Sequence, residues 1–122
     1  MSDLRVEIFP SDLDETVEFY RTVLGFVLVR DERDADSAYV SLRRGRVRLG
    51  AARRPFVEPS LRRPPSGVEL VLEVEDLESV FARVAATGWP IDEGMIRRPW
   101  GLRDFRVLDP SGYYWRVTEL GG

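Results

Sequence analysis

Leu4, Val6 and Ile8 alternate with Arg5, Glu7 and Phe9, a period of two that predicts a half-buried strand over 4–9. Ser11 then precedes Asp12-Leu13-Asp14-Glu15, which reads as a helix N-cap with acids in the first turn. Leu13, Val17, Tyr20 and Leu24 recur at spacings of four, three and four, one apolar helical stripe that Gly25 closes. Strands are predicted over 26–30, 37–42 and 46–52, with a charged turn over 31–36 and a tight turn at Arg44-Gly45. The order then restarts. A strand is expected over 69–74 and a helix over 76–87, with Leu77, Val80, Phe81, Val84 and Ala85 on its stripe and Gly88 as its cap. A short strand over 91–96 and a loop over 97–102 follow. Strands over 103–108 and 113–118 are joined by Asp109-Pro110-Ser111-Gly112, a strong turn signal.

The restart is an internal repeat. Asp12-Leu13 returns as Asp76-Leu77 at an offset of 64, and Leu24-Gly25-Phe26 as Thr87-Gly88-Trp89 at 63. Two βαβββ modules follow, an α+β fold in a single domain spanning 1–122. Module 1 covers about 4–53, a proline-rich linker (Pro55, Pro59, Pro64, Pro65) covers 54–67, and module 2 covers 68–118. Each helix covers one face of its sheet. The other module, a second chain or a ligand must cover the opposite face.

Composition narrows the chemistry by what is missing. The 122 residues contain no cysteine and no histidine, which removes thiol nucleophiles, imidazole bases, zinc ribbons and the Ser-His-Asp triad. All 18 basic residues are arginine, so lysine Schiff-base chemistry is excluded as well. The net charge of −3 argues against a nucleic-acid partner. No apolar run reaches the length of a membrane span, and the first residues lack the apolar stretch of a secretion signal, so a cytoplasmic location is expected.

Two motifs carry a resemblance. Phe19-Tyr20-Arg21-Thr22-Val23-Leu24-Gly25-Phe26 resembles the FYxxxLGF signature of the vicinal-oxygen-chelate superfamily. Arg98-Pro99-Trp100-Gly101-Leu102-Arg103-Asp104-Phe105, followed by Asp109-Pro110-Ser111-Gly112, resembles the bleomycin-resistance branch of that superfamily. The resemblance runs from about Leu4 to Thr118 and implies a vicinal-oxygen-chelate-type fold and a homodimer. In that branch the loop holding this tryptophan borders a cleft at the dimer interface, and a proline placed like Pro10 lets subunits exchange their N-terminal arms.

Many relatives implied by the resemblance are metal-dependent, with His, Glu or Gln ligands at four strand positions. Carried over by counting from the motifs, those positions fall on Arg5, on Gly50 or Arg48, on Glu69 and on Arg116. Guanidinium groups repel a divalent cation, so no metal and no other cofactor is expected. Side chains two apart share a strand face, so Arg5, Arg48 and Arg116 are expected to meet Glu7, Glu69 and Glu73 as compensating ion pairs. The run Arg43-Arg44-Gly45-Arg46-Val47-Arg48 reads as a solvated turn with arginines on both faces of a hairpin.

Three Trp, four Tyr and six Phe are present. Tyr20, Phe26 and Phe81 read as core. Trp100, Phe56, Tyr39, Phe9 and Tyr114 fall in loops or on the open face, where rings suit planar ligands or a dimer contact. The expected binding set is Trp100, Phe56, Tyr39, Phe9, Tyr114, Arg48, Glu69 and Arg116, with no catalytic residue. The implied function is sequestration of a small natural product or antibiotic, with the acidic net charge suited to a cationic drug such as bleomycin. The alternative is a metal-independent isomerase or cyclase acting on a biosynthetic intermediate, with Glu69 or Glu7 as its base. A third reading is a ligand-free structural dimer.

Overall fold

The computed structural model describes residues 2–55 and 68–121, and the chain divides into two compact units, residues 1–57 and 58–122. The first unit runs β1 (Arg5–Ile8), α1 (Leu13–Thr22), β2 (Val27–Glu32), β3 (Tyr39–Arg44) and β4 (Val47–Ala52). The second runs β5 (Leu70–Val74), α2 (Leu77–Thr87), β6 (Glu93–Arg97), β7 (Arg103–Leu108) and β8 (Tyr114–Glu119). Each unit has a four-stranded sheet with the same topology, β1-β4-β3-β2 in one and β5-β8-β7-β6 in the other. The first strand of each module pairs in parallel with its last, and the remaining ladders are antiparallel. This is the expected pair of βαβββ modules. The proline-rich segment expected over 54–67 lies, beyond Pro55, outside the described residues.

Both helices start where a carboxylate can cap them. Asp12, not Ser11, is the N-cap of α1: its Oδ1 accepts from the Glu15 backbone N–H at 3.0 Å. Asp76 does the same for α2, accepting from Ser79 N–H at 3.1 Å. The preference is physical, because a charged acceptor also meets the positive end of the helix dipole. At the other end of α2, Gly88 takes φ 77°, a left-handed cap that a β-carbon disfavours.

The first core forms between α1 and one face of its sheet. Val17, Phe19, Tyr20 and Leu24 are buried, as are Ile8, Val40, Leu42, Leu49 and Ala51. Tyr20 meets Phe19 and Phe26 edge-on, at ring separations of 4.9 and 5.5 Å. In the second unit Leu77, Val80 and Val84 of α2 are buried with Leu72, Val74, Phe105, Val107, Trp115 and Val117 of the sheet. Phe81 lies edge-on to Phe105 at 5.1 Å. The Asp109-Pro110-Ser111-Gly112 turn forms as its sequence implies: Asp109 Oδ1 accepts from the backbone N–H groups of Ser111 and Tyr113 at 2.9 and 2.8 Å. In each sheet the core uses alternate residues, and the intervening positions lie on the face away from the helix, some exposed and some, such as Asp104 and Thr118, buried. No helix among the described residues is long and apolar enough to cross a membrane.

Candidate functional site

The open face of the first unit is set by strand register. Arg5 lies opposite Arg48, and Arg48 opposite Arg43, so three arginines form one row across β1, β4 and β3. The next row is Glu7, Gly50, Ser41 and Arg30. A bulge between Leu28 and Arg30 makes Val29 the extra residue of β2, the last strand of the sheet. Arg5, Val29, Arg30, Tyr39, Ser41, Arg43 and Arg48 rim a recess of about 380 Å³, with Leu42 and Leu49 beneath. Among the described residues no carboxylate lines it. The net acidity expected to suit a cationic drug is not reproduced at this recess, where the local charge is opposite in sign to the net charge.

Pairing also distinguishes Gly50 from Arg48 as the counterpart of Arg116 in module 1. Glu7 pairs with Gly50, and Val71, at the repeat offset from Glu7, pairs with Arg116. Gly50 thus holds in β4 the place that Arg116 holds in β8. A β-carbon on Gly50 would overlap both the Glu7 carboxylate and the Tyr39 hydroxyl. Those two groups fill the space, with the Tyr39 hydroxyl donating to Glu7 Oε1 at 3.0 Å. Burial, the bond to Glu7 and the negative charge of Glu7 hold the Tyr39 phenol above its ordinary range.

The open face of the second unit carries similar side chains in a different arrangement. Arg106 lies opposite Arg116, and Asp104 opposite Thr118. Arg98, from the turn after β6, reaches back to Asp104 at 3.0 Å and to Glu93 at 2.8 Å. Asp104 is fully buried, and Arg106 Nε lies 3.7 Å from it and 3.9 Å from Glu93. These hydrogen bonds, to Asp104 first and then Glu93, raise the Arg98 pKa further above its already high value. Arg116 Nε sits 2.9 Å from Glu69, and its guanidinium lies 5.7 Å from the Trp100 ring centroid. Trp100 is 59% exposed on its turn.

The expected site residues therefore divide into groups. Tyr39 and Arg48 meet at the recess of the first unit. Phe9 lies beyond β1, with the Arg54 guanidinium 5.2 Å from its ring centroid, and does not line that recess. Trp100, Arg116 and Glu69 meet in the second unit. Tyr114 is buried, with Arg106 5.9 Å from its ring centroid. Phe56 lies outside the described residues. Of the expected ion pairs, Arg5–Glu7 forms at 2.7 Å and Arg116–Glu69 at 2.9 Å. Arg48 instead faces Asp3 at 4.0 Å, while Glu7 is engaged by Arg5 and Tyr39.

Sequence reasoning missed Arg30, Ser41 and Arg43 at the recess, and the Arg98–Asp104–Glu93 network. Hairpin counting carries the signal for Arg43. A turn at Gly45-Arg46 places Arg43 opposite Arg48 on one face, so the basic run is not only a solvated turn.

Module order, sheet topology and motif residues converge on one family. The chain belongs to the Glyoxalase/Bleomycin resistance protein/Dioxygenase superfamily, whose pattern matches residues 4–117. Its fold is that of a bleomycin resistance determinant encoded on the transposon Tn5, with a TM-score of 0.80, 23% identity and 98% of each chain covered. It is equally similar to a bleomycin-binding protein solved in complex with bleomycin, at TM-score 0.80 and 22% identity, covering 99% of this chain and 100% of that one. TioX from Micromonospora sp. ML1 matches at TM-score 0.79 and 26% identity, with 98% of each chain covered. No curated protein matches the chain by sequence.

Proposed function

We propose that this protein is a metal-free binding protein that sequesters a small natural product or antibiotic and so protects its host. The observation that carries the reading is what stands at the four positions where metal-dependent relatives place ligands. Arg5 and Arg116 are permanently charged guanidiniums. Gly50 has no side chain, and Glu7 and Tyr39 fill the space beside it. Glu69, the one carboxylate, is already neutralised by Arg116. This donor set does not fit a divalent cation.

Binding without chemistry also suits the carboxylates. Glu7 accepts from Tyr39 and pairs with Arg5, and Glu69 pairs with Arg116, so both candidate bases are already engaged. What remains accessible suits capture: an open recess, and an exposed Trp100 ring with a cation beside it. The bleomycin complex of a protein with this fold supports a small-molecule ligand. The reading includes a homodimer in the cytoplasm, with clefts completed by the second copy.

Equilibrium titration with candidate natural products, followed by mass analysis of the recovered ligand, tests it. Saturable binding with the ligand returned unchanged is expected. Product formation would overturn the reading in favour of a metal-independent enzyme. In that case Glu69→Gln and Glu7→Gln would identify the base.

A further inference from the structure

We infer that the recess of the first unit takes a small organic anion, with a carboxylate or phosphate group carried on an apolar body. The inference rests on the binding-protein reading above and names the charge class of its ligand.

Like charges directly opposite on neighbouring strands destabilise a sheet. The row Arg5–Arg48–Arg43 repeats that arrangement across three strands. The nearby carboxylates lie at the margin. Glu7 takes Arg5 at 2.7 Å, Glu32 takes Arg30 at 3.6 Å and Asp3 takes Arg48 at 4.0 Å. The Arg43 side chain makes no ion pair or hydrogen bond among the described residues. Four guanidiniums thus meet three carboxylates, and the two looser pairs are easily exchanged for a better acceptor.

Arginine suits that acceptor. Its planar fork of donors matches a carboxylate or phosphate with two parallel hydrogen bonds. Ser41 adds a hydroxyl among the guanidiniums, while the exposed Val29 and the aliphatic stems of the arginines supply apolar surface for the rest of the molecule. A recess of about 380 Å³ lies within the range of small-ligand sites, roughly 300–1,000 Å³. The net charge of −3 does not oppose this, because screening over about 8–10 Å leaves the local arginines in control.

The test is calorimetric titration of the full chain with matched probes: naphthalene-2-carboxylate, 2-naphthyl phosphate, naphthalene-2-carboxamide and 2-naphthylmethylammonium. At least one anion is expected to bind about tenfold or more tighter than the amide, and the ammonium weakest. Which anion binds tighter distinguishes a carboxylate from a phosphate ligand. Arg43→Gln is expected to bring the anion down towards the amide while leaving amide binding and the melting temperature unchanged. Equal affinities, preference for the ammonium, no binding by any probe, or anion affinity indifferent to Arg43→Gln would each overturn the inference. Bleomycin captured while the anions are ignored would sink this inference and leave the binding reading standing. An anion bound and converted would do the reverse.

Discussion

The two units share a topology and a stock of arginines and carboxylates, yet their open faces differ in kind. In the second unit the carboxylates sit within the sheet. Asp104 and Glu93 lie among Arg98 and Arg106, and the charges close on one another. In the first unit Asp3, Glu7 and Glu32 stand at the edges of the recess, and the Arg43 side chain remains without a partner among the described residues. The placement of carboxylates, not their number, separates a closed ionic network from an open, arginine-rimmed recess. A duplicated fold does not duplicate a site.

The largest effect should come from opening the closed face. Asp104→Asn leaves Arg98 and Arg106 short of their buried counter-charge, and a melting-temperature loss of about ten degrees is expected by thermal unfolding. Glu32→Gln in the first unit, whose pair is exposed and 3.6 Å long, should move the melting temperature by no more than about two degrees. Equal losses would erase the contrast between the faces.

Gly50→Ala comes next. Its new methyl meets the Glu7 carboxylate and the Tyr39 hydroxyl, with an expected cost of about 1–3 kcal/mol in denaturant unfolding. A Glu7→Ala, Tyr39→Phe background should relieve most of that cost, because both obstructing groups are then gone.

Tyr39 in the first unit and Glu119 in the second should respond to opposite ends of the pH scale. The Tyr39 phenol is held above its ordinary value near 10, so its neutral form is favoured by folding. Its contribution is full below the unfolded value and is lost as pH rises through the folded one. Tyr39→Phe should therefore flatten the alkaline fall in stability. Glu119 is held below its ordinary value, first by the Arg103 backbone N–H at 2.8 Å and then by its guanidinium at 3.1 Å. Its contribution is present above the usual carboxylate range and is lost as pH falls through the folded value. Glu119→Gln should remove that part of the acid-side fall.

Trp100→Ala should matter least to stability. The ring is 59% exposed, so a change within about 0.5 kcal/mol is expected. A loss of ligand affinity in that variant would place the second unit's loop at the binding site as well. Unchanged affinity would confine binding to the first unit.

Much of the fold was legible in the sequence because periodicity reports burial directly. Leu13, Val17 and Tyr20 marked α1, although the stripe ran on to Leu24 beyond its end at Thr22, and the strand over 103–108 was bounded as found. Element ends were less legible, as the cap at Asp12 and the delayed start of β6 at Glu93 show. Caps depend on which side chain reaches the backbone, not on period. The site was only partly legible. Register had to be known before Arg43 could be placed beside Arg48, and tertiary packing before Arg98 could reach Asp104. Tyr114 alternated correctly yet lies beneath Arg106, which periodicity alone does not reveal.

Thermal unfolding of the protein alone, with magnesium, manganese or zinc, and with a panel of natural-product drugs tests the central claim most directly. A ligand at a hundred times its dissociation constant stabilises a fold by about 2.7 kcal/mol, several degrees for a chain of this size. The account predicts such a shift with one class of small molecule and none with the metals. Stabilisation by a divalent metal would contradict it, because the guanidiniums at Arg5 and Arg116 would then have failed to exclude the cation.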